Sequence, residues 1–271
     1  MDLNTITDIR QPKTPEELGP WQKGFAWLGG GTWLFSEPQV DVNTLIDLDA
    51  FKWPDITVTD AGLEVAGTCR LVTLNSRALP SEWTAAPLIG ICTKALLMSF
   101  KIWNTATVGG NICMSLPAGG MISLTAALEG VLTLWPRGGE PRQVPVVDFV
   151  TGNNKNLLQP GELLRSVFLP ASALKKTFAW RRFSLTQIGR SSVFVIATRC
   201  PESGTFLLTI TASTTRPIQI SFPEVPSADR LKSSIAAAVL PELWFDDVHG
   251  SPAHREHLTY YFAEEIREEL S

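Results

Sequence analysis

Cysteine is scarce and scattered in this chain. Cys69, Cys92, Cys113 and Cys200 are four in 271 residues, with no Cys-x-x-Cys pair. Zinc and iron–sulfur centres usually draw two or more ligands from one tight turn, so this spacing argues against a local cluster and for buried free thiols. Long apolar runs are missing too. No stretch approaches the ~20 residues that span a bilayer. The opening run MDLNTITDIRQPKTPEEL has no apolar core of the secretory kind, so a cytoplasmic protein is expected. Positive charge is thin: the net charge is −4, and the basic pairs Lys175-Lys176 and Arg181-Arg182 are too short for the basic face that nucleic acid needs. Neither G-x-x-x-x-G-K-[ST] nor G-x-G-x-x-G after a strand occurs, which leaves a P-loop or a Rossmann site without support. No Ser/His/Asp or Cys/His arrangement stands out. His249, His254 and His257 gather near the end, but H-R-E-H lacks the H-E-x-x-H spacing. A wet helix face is the expected reading.

Two glycine-rich stretches are what the chain does have. Residues 106–121 read ATVGGNICMSLPAGGM and lead into an apolar run, Ile122 to Leu128. Paired glycines allow positive φ and close approach of backbone N–H groups to a ligand. Converging N–H groups make an anion site, strengthened by a following helix N-terminus. Earlier, Trp27-Leu28-Gly29-Gly30-Gly31-Thr32-Trp33-Leu34 runs from an apolar strand into three glycines and a threonine. Two such loops could grip the two phosphates of a dinucleotide; an ordinary pair of sharp turns is the plain alternative. Nine tryptophans are many for this length, and aromatic enrichment at interfaces gives a reason for some to face a partner.

Patterning predicts the elements in order. A short helix is expected at 15–18, opened by Thr14 and Pro15, then strands at 25–28 and 44–48 and a hairpin of 56–59 with 63–66. Thr73 reads as the N-cap of a helix over 74–79 that Pro80 ends. Leu88, Ile91, Cys92, Ala95, Leu96 and Met98 give helical spacing over 87–100. After the second glycine stretch and its helix come strands at 131–135 and 143–147 joined by a turn at 136–141. A polar, Asn-rich loop follows at 150–160, and a strand ends at Pro170. From about 171 the texture changes to strands at 178–183, 193–198, 206–211 and 218–222, then helices at 228–240 and 254–270. Leu258, Phe262, Ile266 and Leu270 mark one face of the last helix. Strands followed by helices imply an α+β fold with an antiparallel sheet covered by helices on one side. A boundary is expected at 171–177, giving domains 1–173 and 174–271. Arg181-Arg182 and Arg190 fit either a role in orienting a cofactor or partner, or a solvated strand edge.

These motifs resemble the FAD-binding medium subunit of the molybdenum hydroxylases, the xanthine dehydrogenase and carbon monoxide dehydrogenase group. The family carries an A-G-G-T-type loop near its start and T-I-G-G-N about a hundred residues on. Here Gly29-Gly30-Gly31-Thr32 and Thr107-Val108-Gly109-Gly110-Asn111 stand in those places. Gly161-Glu162-Leu163-Leu164 and the stretch to Pro170 are similar to its P-G-E-I-I-x-x-I-x-I-P run, and residues 250–258 to its G-S-A-E-Y-R-R-x-L run.

The resemblance implies the FAD-binding fold of vanillyl-alcohol oxidase and p-cresol methylhydroxylase, followed by the medium subunit's C-terminal domain. It implies that Leu28, Gly29, Gly30, Gly31, Thr32, Trp33 and Leu34 wrap the FAD diphosphate. Thr107, Gly109, Gly110 and Asn111 would meet the diphosphate and ribityl chain, and Leu164 the isoalloxazine ring. In N-A-S-P-A-A-D the family usually places an aspartate where Gly120 stands and an asparagine where Met114 stands. The implied role is electron transfer from the [2Fe–2S] clusters of a small subunit, served by a molybdenum-cofactor large subunit, to NAD, a quinone or oxygen. Two other readings of the fold stay open: an assembly subunit that has lost FAD, and a stand-alone FAD reductase.

Overall fold

The computed structural model describes residues 3–95, 100–136 and 138–271. The expected helical positions Leu96 and Met98, and Arg137 of the turn at 136–141, lie outside the described residues.

Strands β1 (Asp8–Arg10), β2 (Phe25–Leu28) and β3 (Thr44–Asp47) form a small parallel sheet with β3 in the middle. Its core holds Leu18, Ile46 and Phe51, with Trp21, Phe25, Trp27 and Trp53 packed around them. The strand expected at 44–48 stops one residue early, because the Asp47 carboxylate accepts from the Asp49 N–H and turns Leu48–Phe51 into a 3-10 helix.

A hairpin follows, β4 (Ile56–Thr59) with β5 (Gly62–Ala66), and then helices α1 (Leu71–Ser76), α2 (Leu88–Lys94), α3 (Phe100–Thr105), α4 (Val108–Met114) and α5 (Gly120–Ala127). Helix α1 begins ahead of the predicted cap at Thr73, because Leu71 and Leu74 are both core residues and the Leu71 N–H donates to the Ala106 carbonyl. Long-range pairing overrides the local capping signal there. The segment expected as one helix over 87–100 is α2, a turn at Ala95, and the start of α3 at Phe100.

Strands β6 (Val131–Trp135) and β7 (Arg142–Pro145), the single-turn helix α6 (Val146–Phe149), the tiny hairpin β8 (Val150–Gly152) with β9 (Lys155–Asn156), and β10 (Leu163–Pro170) complete this part. A five-stranded antiparallel sheet results, in the order β4-β5-β10-β6-β7. Strand β10 is central, so both its faces are covered and its sequence is apolar almost throughout.

After α7 (Ala171–Leu174), strands β11 (Thr177–Ser184), β12 (Ser191–Arg199), β13 (Phe206–Thr211) and β14 (Ile218–Phe222) form a four-stranded antiparallel meander. Helices α8 (Ala228–Ala238) and α9 (Pro252–Glu269) pack on one face, as the sequence predicts. The opposite face is covered by α5 from the first half of the chain. Strand β12 records both contacts: Val193, Val195 and Ala197 join the core under α8 and α9, whereas Phe194 and Ile196 join the core that contains α5. The α9 stripe that is fully buried is Arg255, Thr259, Ala263, Ile266 and Leu270; Leu258 and Phe262 flank it half-buried.

Candidate functional site

A cavity of about 590 Å³ opens where the loop after β2, the start of α4 and the beginning of β10 converge. Its walls take in Gly29, Gly30, Gly31, Thr32, Trp33 and Leu34 from the first loop, Thr107, Gly109, Gly110 and Asn111 from the second motif, and Leu164. Of the thirteen residues singled out from the sequence, Leu28 and Gly120 are the two that do not line it. Leu28 ends β2 half-buried, and Gly120 is the buried first residue of α5.

The two glycine stretches are built differently. In the first, the N–H groups of residues 30–34 find no acceptor among the described residues. Gly31 sits at φ +69°, where only glycine is comfortable, and Gln39 pins the loop by donating from Nε2 to the Leu34 carbonyl at 2.9 Å. Unpaired N–H groups at a cavity wall are what an anion needs.

The second stretch, read from the sequence as a loop, is the first turn of α4. Thr107 caps it by accepting from the Gly110 N–H at 3.0 Å, and the N–H groups of Val108 and Gly109 donate to the carbonyls of Cys69 and Gly67. Gly109 is required by packing: a Cβ there would lie 2.7 Å from the Gly67 carbonyl oxygen. Asn111 turns its side-chain oxygen to the Met121 N–H, 2.9 Å away, and so ties α4 to α5. Asn156, from the Asn-rich segment read as a loop, closes the other end of α4 by donating to the Cys113 carbonyl at 2.8 Å.

Two charged side chains reach the wall among the described residues, Glu162 and Arg190. Glu162 is buried and neutralised. Arg142 donates to it from Nε and Nη2 at 3.0 and 2.7 Å, and the Gln159 N–H adds a third bond. The Arg142 hydrogen bond holds the Glu162 carboxyl below its usual range, against burial, which raises it. The Glu162 carbonyl also accepts from Trp27 Nε1 at 3.0 Å, which joins the three-stranded sheet to the cavity rim. The remaining wall, including Leu48, Leu71, Ile102, Leu158 and Leu163, is apolar.

An FAD molecule fits these residues on two counts. The first loop presents unpaired N–H groups to the cavity, and the apolar remainder of the wall suits a ring system.

Residues 12–172 match the family described as the FAD binding domain in molybdopterin dehydrogenase. The chain belongs to that family. Xanthine dehydrogenases 1 and 2 of Arabidopsis thaliana are each 31% identical to it over 121 residues, 42% of this chain. The matched stretch is 9% of either plant protein, so the chain spans only a small part of these relatives.

Likeness of fold to solved structures extends over the whole chain. A Cu,Mo-CO dehydrogenase in its cyanide-inactivated form superposes with a TM-score of 0.82, covering 100% of both chains at 17% identity. Quinoline 2-oxidoreductase from Pseudomonas putida 86 gives 0.79 over 100% of this chain and 98% of that one, also at 17% identity. A carbon monoxide dehydrogenase from Hydrogenophaga pseudoflava gives 0.79 over 99% and 98%, again at 17%. At that identity the likeness is one of fold.

The three histidines do not enter the cavity. His254 and His257 are exposed on α9, and no group of three or more potential metal ligands forms among the described residues. Cys69 and Cys92 are buried, Cys113 and Cys200 half-buried, and all four are free. Burial pushes the thiols of Cys69 and Cys113 up to about 12 and that of Cys92 higher still. No helix among the described residues is long and apolar enough to cross a membrane. Sequence reasoning missed Gln39, Gly67 and Glu162 as wall residues. Gly67 meets Gly109 and Arg165, Glu162 meets Trp27, and Gln39 closes its own loop, and no local pattern announces these contacts.

Proposed function

We propose that this chain holds FAD in the 590 Å³ cavity and serves as the electron-transfer subunit of a molybdenum hydroxylase. The observation that carries the proposal is the conjunction of unpaired N–H groups over residues 30–34 with the family match over 12–172. FAD, when bound, supplies the redox chemistry, and the protein supplies binding, orientation and electrostatics.

In this reading the N–H groups of the first loop, with the Thr32 hydroxyl, bind the diphosphate, and Leu28 sets the loop's origin at the end of β2. Thr107, Gly109, Gly110 and Asn111 form the opposite wall and fix its width through their bonds to Gly67 and Met121. Leu164, with Leu163 and Leu158, excludes water from the ring. Gly120, in place of an aspartate, offers no carboxylate to a ribityl hydroxyl. Residues 1–173 act as the FAD-binding domain and 174–271 as the C-terminal domain of the subunit.

The partners are a molybdenum-cofactor large subunit and a small subunit with [2Fe–2S] clusters, with NAD, a quinone or oxygen as acceptor, in the cytoplasm. The exposed tryptophans Trp33 and Trp180 suit contacts with such partners. The visible spectrum of the purified protein, before and after adding FAD, tests the cofactor. Flavin bands that shift on binding support the reading. A folded protein that stays colourless and takes up no FAD overturns it. Co-purification of molybdenum and iron–sulfur subunits then tests the electron-transfer role, and a flavoprotein that purifies alone counts against it.

A further inference from the structure

Arg190 is the one arginine among the described residues that lines the large cavity. Arg142, Arg181, Arg255 and Arg267 are each in ion pairs, and Arg182 is hydrogen-bonded to protein oxygens. Arg190, half-buried in the turn between β11 and β12, has no hydrogen bond and no ion pair among the described residues. It lines the large cavity and also an adjoining polar pocket of about 200 Å³, and Trp33 shares both walls with it. Asp247, the one carboxylate among the described residues that shares the smaller pocket's lining with Arg190, is engaged: its Oδ1 accepts from Arg255 and from the His249 N–H. Glu162, across the cavity, is bound to Arg142.

The turn that carries Arg190 is anchored rather than loose. Arg182 donates to the Gly189 carbonyl on one side of Arg190 and, at 2.7 Å, to Ser191 Oγ on the other. Ser191 in turn reaches the Ala95 carbonyl at 3.4 Å, and Ala95 is part of the cavity wall. A half-buried cation without a protein partner, lining the same cavity as unpaired N–H groups, suits an anion. A guanidinium kept partly out of water needs a counter-charge to offset its desolvation.

Resting on the FAD reading above, we infer that Arg190 pairs with the FAD diphosphate, closing from the C-terminal sheet a site whose other donors come from the loop after β2. It is the one cation on the described wall, and the diphosphate is the part of FAD that carries negative charge.

The test is titration of the flavin-free full-length chain, its Arg190→Gln and its Arg190→Lys variants with FAD and with riboflavin, which lacks the diphosphate. Flavin fluorescence gives the Kd values. Arg190→Gln should weaken FAD about ten- to a hundredfold and leave riboflavin unchanged, because a charge-assisted hydrogen bond is lost. Arg190→Lys should recover part of the FAD affinity. Unchanged FAD affinity in Arg190→Gln overturns the inference, as does an equal loss for riboflavin, which would put Arg190 against the ring. If Arg190→Gln does not fold, an Arg190→Lys chain that keeps full FAD affinity at low salt and loses it no faster than riboflavin with added salt overturns it as well. Failure of the unaltered chain to bind either flavin would instead sink the FAD reading itself.

Discussion

Gly30 and Thr105 meet backbone to backbone: a Cβ built on Gly30 would stand 1.9 Å from the Thr105 carbonyl oxygen. That oxygen is itself held by Arg70, whose Nη1 donates to it at 2.5 Å, and Arg70 is paired in turn with Asp49. The approach of the first loop to the C-terminus of α3 therefore tolerates no side chain.

Gly30→Ala must displace one backbone from the other. Overpacking of this kind costs about 2–3 kcal/mol. Urea denaturation should show that loss, and FAD uptake should fall with it. A variant with the stability and flavin content of the unaltered protein would refute the close-approach argument.

Thr107 caps α4 through its hydroxyl. Thr107→Ala should cost about 1 kcal/mol, whereas Thr107→Ser, which keeps the acceptor, should cost a few tenths. Thermal melts of the two variants separate the cap from any effect of the methyl group.

Glu162 predicts a pH effect of definite sign. Its folded-state pKa is depressed, first by the Arg142 hydrogen bond. The stabilisation is therefore present above the unfolded value of about 4.3 and is lost as pH falls through the folded value. Glu162→Gln should be less stable than the unaltered protein by about 1–2 kcal/mol at pH 7. The gap should close below about pH 4 in acid-unfolding curves; a gap that is constant with pH contradicts the assignment.

Arg255 is 1% exposed and donates to the carbonyls of Gly250, Ser192 and Ala212 as well as to Asp247. Burial is the main cause that pushes its guanidinium down, and the charge of Arg190 adds to it, while Asp247 acts in the opposite sense. Arg255→Met leaves three carbonyls and a carboxylate short of donors, so a loss of about 3–5 kcal/mol is expected by denaturant titration. Arg255→Lys should recover little, since one ammonium cannot reproduce the planar fork of donors.

The strands were legible because period-2 alternation and turn residues are local signals. The hairpin of β4 and β5 and the meander β11 to β14 follow the predicted segments within a residue or two at most ends. The helices around the cavity were not. Helix α1 is displaced from its predicted cap by a bond to Ala106, α2 ends at Lys94 short of the predicted end, and α4 hides in what reads as a glycine turn. In α9 the predicted face of Leu258, Phe262, Ile266 and Leu270 does pack on the core, but the buried stripe also takes in Arg255, Thr259 and Ala263, whose place no hydrophobic spacing signals.

From sequence alone come the α+β class, the two glycine motifs, and four scattered cysteines with no Cys-x-x-Cys pair. Those properties follow from composition and from neighbours a few residues apart. Tertiary structure decided which glycine stretch keeps its N–H groups free. Both stretches carry the same local signal, but only the second meets acceptors, at Cys69 and Gly67. It also decided that Arg190 faces the cavity while Arg182 secures the turn beneath it. Whether a donor or a charge is satisfied is a property of what lies across from it, and in this chain that is set by residues brought together from as far apart as Trp27 and Glu162.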